Sequence, residues 1–133
     1  MATTAYSISD SMFTLCVKES FAAAHRLEAY HGKCENLHGH NFTVEAFFEG
    51  QELDEEGMLV DFAVLKGYVN LALSELDHKY INEIPFFQER ASSSEYIALY
   101  LHERLKAQLR EKGVAVREVR VWESEKVYAA FRS

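Results

Sequence analysis

Two stretches near the start of the chain alternate between apolar and polar residues, which is the pattern of half-buried β-strands. Residues 14–25 place His25 on the apolar face of the first predicted strand. Residues 38–48 place His38 and His40 on the apolar face of the second. The sequence therefore predicts two strands whose apolar faces both carry histidines.

From Asp61 onward the apolar spacing changes to three and four residues, which predicts an amphipathic helix with Asp61 near its N-cap. A second helix is predicted to begin at a capping box in residues 92–95, with Glu95 as the acid of the box and Gly113 as the stop signal. The predicted apolar stripes are Phe62, Leu65, Val69, Leu73 and Leu76 in the first helix, and Ile97, Leu101, Leu105 and Leu109 in the second.

Residues 116–123 and 127–132 are rich in strand-forming side chains, and the polar residues 124–126 between them indicate a hairpin. The predicted order ββααββ favours an α+β fold, with a four-stranded antiparallel sheet and two helices on one face. Residues 1–133 are expected to form one domain. Its exposed edge strands invite pairing with another chain, so we expect the sheet to extend across subunits.

Composition narrows the functional classes. The 133 residues carry 14 Lys and Arg against 21 Asp and Glu, a net charge of −7, so the basic surface that nucleic-acid binding requires is not expected. The most apolar window, residues 58–76, is interrupted by Asp61, Lys66 and Glu75, which argues against a membrane span. Residues 1–10 lack the features of a secretory signal, so we expect a cytoplasmic protein.

Residues 31–40 contain three of the six histidines and one of the two cysteines, a density that indicates a metal site. His38 and His40 are two positions apart on a strand and so project from one face, and His25 can supply a third imidazole from the neighbouring strand. Three imidazoles with an open fourth position are a ligand set of catalytic zinc. An H-x-H pair alone is weak evidence for such a site, but the shared phase of all three histidines favours it.

Cys34 allows two interpretations. It could be the fourth ligand of a closed, structural zinc site, since one Cys with three His is an accepted set. It could instead be a thiol whose pKa is lowered by the metal or a nearby His, acting as a base or nucleophile. Elsewhere, Cys16 is expected to be a small packed residue, and His31 and His102 ordinary surface residues.

Two acidic positions are also candidates for chemistry. Asp77 directly precedes His78, so the pair could relay protons, although a His after a helix also fits a simple helix-dipole interaction. Glu123 shares the parity of the apolar face of its strand, where a carboxylate needs a partner such as two parallel N–H donors of a ligand. The alternative is that the strand ends there and Glu123 turns to water.

Six segments together resemble the 6-pyruvoyl-tetrahydropterin synthase and 6-carboxytetrahydropterin synthase family, which has the tunnelling fold. They are Phe21-Ala22-Ala23-Ala24-His25-Arg26-Leu27, Cys34-x-x-x-His38-Gly39-His40, Gly57-Met58-Leu59-Val60-Asp61-Phe62, Leu76-Asp77-His78, Ser94-Glu95 and Glu123. The resemblance covers nearly the whole chain. It implies that His25, His38 and His40 bind catalytic Zn²⁺ and that Cys34 is the base.

The resemblance also implies that Asp77 and His78 are the relay partners of that base. It implies that Glu123 anchors the amino-pyrimidine edge of a pterin, with Glu95 as a further candidate for pterin contact. Family members close their sheets into a trimeric barrel and stack two trimers, which implies a homo-oligomer with active sites at subunit boundaries.

The three-residue gap between Cys34 and His38 resembles the carboxytetrahydropterin synthase branch, which serves queuosine and related deazapurine synthesis. That branch converts 7,8-dihydroneopterin triphosphate to 6-carboxy-5,6,7,8-tetrahydropterin and releases acetaldehyde and triphosphate. For the triphosphate, the basic residues near the motifs are Arg26, Lys33, Lys79 and Lys126.

Two features depart from the usual family pattern. Ser92, Ser93 and Tyr96 stand where members usually have Pro, Thr and Asn, which puts substrate contacts there in doubt. Glu35, directly after the cysteine, resembles a bifunctional subgroup that also yields 6-hydroxymethyl-7,8-dihydropterin for folate synthesis, although it could be an exposed loop acid. A hypothesis of another class is a non-catalytic domain with a structural zinc.

Overall fold

The two alternating stretches form the longest strands of the molecule. In the computed structural model, which describes residues 11–27 and 36–133, β1 spans Phe13–His25 and β2 spans His38–Gly50. The two strands are antiparallel along their whole length. Both predicted strands are confirmed, and each is slightly longer than predicted.

The register of this strand pair gathers the histidines. His25 lies opposite His38, and His40 lies opposite Ala23. Since alternate residues share a face, the three histidines project from the same end and the same side of the sheet. They continue the row that Phe21 and its cross-strand partner Phe42 begin.

Helix α1 spans Phe62–Leu73 and begins where predicted. The Asp61 carboxylate accepts the N–H of Ala63 at 2.8 Å, which satisfies one of the free donors of the first turn. The predicted stripe was wrong at its first position, because Phe62 is 52% exposed. It is the first residue of the helix and lines a shallow surface groove beside residues 16–19 of β1.

Helix α2 spans Ser94–Gln108, and its cap differs from the prediction. Ser93 is the N-cap and accepts the N–H of Tyr96 at 3.3 Å, so Glu95 is not the acid of a capping box. Ser92 cannot serve as the cap because it is fully buried and bonded to other segments. The helix also ends before Gly113, with Leu109 as its C-cap.

The last two predicted strands form the expected hairpin. β4 spans Ala115–Trp122, β5 spans Tyr128–Arg132, and the two are antiparallel. Glu123 lies one residue beyond β4, and its N–H donates to the carbonyl of Val127 across the turn at 3.2 Å.

The sheet has one strand more than predicted. β3 (Lys79–Tyr80) pairs in parallel with Ala23 and Ala24 of β1, giving a mixed five-stranded sheet in the order β3-β1-β2-β4-β5. Two residues are too few to produce an alternating pattern, so the sequence carried no signal for this strand. The short 3₁₀ turns Ile81–Glu83 and Pro85–Phe87 lead from β3 towards α2.

Both helices pack on one face of the sheet and share one core with it. Leu65 and Val69 from α1, Ile97 and Leu101 from α2, and Val119 from β4 belong to this single apolar cluster. Neither helix of the described residues has the length and apolar character needed to cross a bilayer.

Two minor predictions about buried residues were wrong. Cys16 is exposed, because the alternation along β1 points it to the opposite side from the buried Val17. His102 is only 1% exposed, because α2 presents it to the sheet beside Phe131 of β5. His31 lies outside the described residues.

Candidate metal centre and pterin site

Three imidazoles converge at the end of β1 and β2. The ring nitrogens of His25, His38 and His40 that could bind a metal all lie within 4.8 Å of one another. The ring centroids are 4.6 Å apart for His25 and His38, 5.2 Å for His25 and His40, and 4.6 Å for His38 and His40. The cross-strand register brings the three residues together, since all of them lie in β1 and β2.

Backbone carbonyls orient two of these rings. His25 Nδ1 lies 2.7 Å from the carbonyl oxygen of Ser92, and His38 Nδ1 lies 2.9 Å from that of Asn36. A carbonyl only accepts hydrogen bonds, so each Nδ1 carries the proton and donates it. The lone pair is then on Nε2 in both rings, the tautomer typical of metal-ligating histidines.

The donor set fits a metal ion. His25 is 2% exposed, and within residues 11–27 and 36–133 its buried Nε2 has no hydrogen-bond partner. A buried polar atom without a partner is costly, and a cation bound among the three rings would satisfy it. Neutral imidazoles are good ligands for zinc and several other transition metals, so the residues fit the metal without fixing its identity.

Asp77 and His78 lie next to the same strand. Asp77 Oδ1 accepts the N–H of Ala22 at 3.0 Å, and the N–H of His78 donates to the carbonyl of Ala22 at 2.6 Å. Asp77 Oδ2 lies 3.1 Å from His78 Nδ1. The backbone N–H of Ala22, assisted by His78, holds the pKa of Asp77 below its usual value, so this carboxyl stays ionised.

His78 is held in an uncommon backbone conformation. Its φ is +59°, in the left-handed region that side chains with a Cβ rarely adopt. The imidazole is exposed and lines a groove of about 520 Å³ together with His40 and Lys79. The full lining is Ala22, Ala23, Ala24, Gly39, His40, Asn41, His78, Lys79 and Tyr80.

Glu123 meets the N-terminus of α2. It is half-buried, and Ser94 Oγ donates to its Oε1 at 2.5 Å. Ser94 lies two residues after Ser92, whose carbonyl holds His25. The residues from Ser92 to Ser94 therefore connect the histidines to Glu123.

A family model described as 6-pyruvoyl tetrahydropterin synthase matches residues 14–133. The chain belongs to this family of enzymes. A protein of Archaeoglobus fulgidus, provisionally named 6-carboxy-5,6,7,8-tetrahydropterin synthase, is 41% identical over 116 residues, which are 87% of this chain and 92% of that one. The Synechocystis protein of the same name, without that qualification, is 36% identical over 77% of this chain and 79% of its own.

Solved structures share the fold. The 6-pyruvoyl tetrahydropterin synthase of Caenorhabditis elegans has a TM-score of 0.81 at 30% identity, over 92% of this chain and 96% of that one. A catalytic-residue variant of the Plasmodium vivax synthase, with glutamate changed to cysteine, has a TM-score of 0.75 at 25% identity, over 93% and 99% of the two chains. The predicted tunnelling fold is confirmed.

The structure brings together some of the predicted site residues of this pterin synthase family member. The three histidines converge, and Asp77 and His78 pair beside β1. Glu95 is exposed in the first turn of α2, directly after Ser94. Cys34 and Glu35 lie outside the described residues.

Sequence reasoning missed Ser92 as a support of the histidine cluster. Three consecutive serines before a helix indicate a cap, and only the structure distinguishes the buried Ser92 from the capping Ser93. Its contact with His25 uses the backbone carbonyl, which no side-chain pattern could reveal.

Proposed function

We propose that this protein is a zinc-dependent 6-carboxy-5,6,7,8-tetrahydropterin synthase acting in queuosine or related deazapurine synthesis. It converts 7,8-dihydroneopterin triphosphate to 6-carboxytetrahydropterin, with release of acetaldehyde and triphosphate. The observation that carries the proposal is the convergence of His25, His38 and His40, with suitable tautomers, in a chain of this family. The names of the Archaeoglobus and Synechocystis relatives support the carboxy branch.

His25, His38 and His40 are the proposed ligands of the zinc. A bound zinc ion supplies Lewis-acid polarisation of an oxygen on the substrate side chain. The protein's contribution is to hold the Nδ1 protons of His25 and His38 on carbonyls, which keeps each Nε2 available as a ligand. Phe42 excludes water from one side of the proposed centre, since its ring is in edge contact with that of His25 at a centroid distance of 5.4 Å.

Cys34, Asp77 and His78 form the proposed proton-transfer group. Asp77 is fixed by the N–H of Ala22 and remains ionised, so it can accept a hydrogen bond from Nδ1–H of His78 and orient the ring. His78 then exchanges protons at Nε2, the nitrogen left for solvent or substrate. Cys34 is the proposed base that takes the substrate proton.

Glu123 is the proposed anchor of the pterin. Its Oε1 is held by Ser94, which fixes the carboxylate next to the N-terminus of α2. A planar carboxylate can accept two parallel N–H groups from an amino-pyrimidine edge. Glu95, exposed in the adjacent first turn, is the second candidate for this contact, and Lys79 in the groove with His40 and His78 is a candidate for the triphosphate.

The proposed enzyme is a homo-oligomer, built as a dimer of trimers, and acts in the cytoplasm, where Cys34 stays reduced. In the described residues, β1 pairs with β3 only through Ala23 and Ala24, near its C-terminal end. The rest of the outer edge of β1 is open, and so is the outer edge of β5. Tyr128 of β5 is 46% exposed and Phe13 of β1 is 46% exposed, which suits edge-to-edge pairing between copies. Sedimentation at the mass of six 15.3 kDa chains is expected.

A second candidate function is a bifunctional enzyme that also yields 6-hydroxymethyl-7,8-dihydropterin. Its basis is Glu35 beside Cys34, together with the Plasmodium vivax synthase, in which a glutamate is described as a catalytic residue. Glu35 would then be an alternative base.

Mass spectrometry of the pterin product tests both functions. The zinc-loaded protein is incubated with 7,8-dihydroneopterin triphosphate, and 6-carboxytetrahydropterin alone is expected. Additional 6-hydroxymethyl-dihydropterin would favour the bifunctional enzyme, and Glu35→Ala should then remove that product selectively. No pterin product at all would contradict the proposal and favour a non-catalytic domain with a structural zinc.

A further inference from the structure

The backbone immediately after His25 is held by a side-chain amide. Asn82 Oδ1 accepts the N–H of Arg26 at 2.9 Å, and Asn82 Nδ2 donates to the carbonyl of Arg26 at 2.7 Å. These two bonds continue the pairing of β1 with β3 beyond Ala24, where the backbone ladder stops. The end of β1 is therefore fixed on both sides, by His38 of β2 and by Asn82.

Ser92 joins this amide to the imidazole. Its side chain is fully buried, with Oγ 3.0 Å from the carbonyl oxygen of Arg26 and 2.9 Å from Asn82 Oδ1. Its one hydroxyl proton can be donated to either acceptor. Its carbonyl accepts the Nδ1 proton of His25 at 2.7 Å.

These bonds link three chain segments, which meet at Arg26, Asn82 and Ser92, to the His25 ring. Asn82 and Ser92 both hold Arg26, and Ser92 also holds the ring of the preceding residue. Moving either side chain would shift the Ser92 carbonyl relative to His25 Nδ1. The proton would then no longer be fixed on Nδ1, and the orientation of Nε2 would be less well defined.

We propose that Asn82 and Ser92 form a clamp that positions His25 as a metal ligand. Both are positioning residues, since neither belongs to the histidine cluster itself. The inference rests on the proposed metal site, but it concerns the chain's own residues and extends to the metal-free protein.

The test is the zinc affinity of the full-length protein, measured by competition with a chromophoric chelator. Ser92→Ala removes one oxygen and keeps the carbonyl, so the fold is retained. Asn82→Asp keeps the volume and the acceptor for Arg26 N–H but places an oxygen against the Arg26 carbonyl. Each change is expected to weaken zinc binding about 10- to 100-fold, the usual effect of losing a partner that orients a metal ligand.

Ser93→Ala is the matched control. It alters the neighbouring serine and removes the helix cap, so the thermal midpoint should fall while zinc affinity stays within twofold of wild type. If Ser92→Ala and Asn82→Asp behave like Ser93→Ala, with lower midpoints and unchanged affinity, the clamp serves only the fold and the inference is overturned.

A second readout separates this inference from the proposed function. ¹⁵N NMR of the metal-free protein should find the His25 proton on Nδ1 in wild type and shared between Nδ1 and Nε2 in the two clamp variants. An unchanged tautomer in both variants would overturn the inference. Failure of wild type to bind zinc would overturn the proposed function, and the tautomer measurement would still decide the role of the clamp.

Discussion

One histidine is buried at the end of β1 and another in helix α2, and the surroundings of their rings differ. His25 is 2% exposed and His102 is 1% exposed. The Nδ1 of His25 has a carbonyl partner and two further imidazoles lie within 5.2 Å of its ring. Among the residues that the structure describes, neither ring nitrogen of His102 has a hydrogen-bond partner, and its ring lies beside Phe131 and the carboxylate of Glu103.

This contrast teaches that burial alone does not identify a metal ligand. Burial lowers the pKa of His102, and Glu103 opposes that shift only in part, so this ring is a neutral packing residue. His25 differs in two respects. Its Nδ1 donates to the carbonyl of Ser92, and its ring lies beside two other imidazoles. The same combination would identify a ligand site in other buried clusters.

Two carboxylates repeat the contrast. Both oxygens of Glu75 are taken by Arg104 at 2.8 and 2.6 Å, and Tyr100 adds a bond at 2.7 Å. Burial alone would raise the pKa of Glu75, but these donors together outweigh it and hold the pKa below its usual value. Glu123 receives only the Ser94 hydroxyl among its side-chain bonds in the described residues, which leaves capacity for a ligand.

The largest expected effect separates the two histidines. His25→Ala removes a proposed ligand and should weaken zinc binding by more than the roughly 100-fold expected for an outer partner, with loss of turnover. His102→Leu should leave zinc content unchanged and keep or raise stability, because an unsatisfied polar group is replaced by an apolar one. Metal analysis and thermal unfolding measure the zinc content and stability of both variants. Equal zinc content in His25→Ala and wild type would contradict the assignment of His25 as a ligand.

The next effect separates the carboxylates. Glu123→Gln replaces a charged acceptor and should weaken binding of an unreactive oxidised pterin by about 1.5–3 kcal/mol, or roughly 10- to 150-fold. Glu75→Gln should reduce stability by about 1 kcal/mol and leave pterin affinity unchanged. Calorimetric titration gives both affinities, and an unaltered affinity in Glu123→Gln would remove this residue from the site.

The smallest effect is the pH dependence of stability that His102 contributes. Its pKa in the folded protein is below the value of about 6.5 that it has when unfolded, so the unfolded chain binds the proton first. Stability should therefore fall as the pH drops below about 6.5, by at most about 1.4 kcal/mol for each pH unit from this residue. Urea unfolding of zinc-loaded wild type and His102→Leu between pH 7.5 and 5 should give the shallower decline for the variant; parallel curves would contradict the account.

Much of the fold could be predicted because long elements leave a periodic signal. The parity of β1 and β2 indicated both strands and put His25, His38 and His40 on one face. The two-residue β3 left no such signal, and its pairing depends on the turn after α1. The sequence also could not tell which of three serines caps α2, since the competing bonds of Ser92 come from distant segments.

Prediction of the candidate site was uneven for the same reason. The alternation along β1 and β2 correctly predicted that His25, His38 and His40 lie together. Asp77 and His78 are adjacent in sequence, so their proximity needed no structural inference. The carbonyl of Ser92 and the amide of Asn82 act through backbone geometry, which the residue types do not encode. The prediction that His102 is exposed was wrong because a polar residue within an amphipathic helix ordinarily faces solvent.

The most direct test of the account is X-ray absorption at the zinc edge of the zinc-loaded wild-type protein. An open catalytic centre predicts nitrogen and oxygen neighbours only, with Zn–N distances of about 2.0–2.1 Å from three imidazoles and one exchangeable position. A sulfur neighbour at about 2.3 Å would identify Cys34 as a fourth ligand. That result would contradict the catalytic role proposed for Cys34 and make the zinc a structural one.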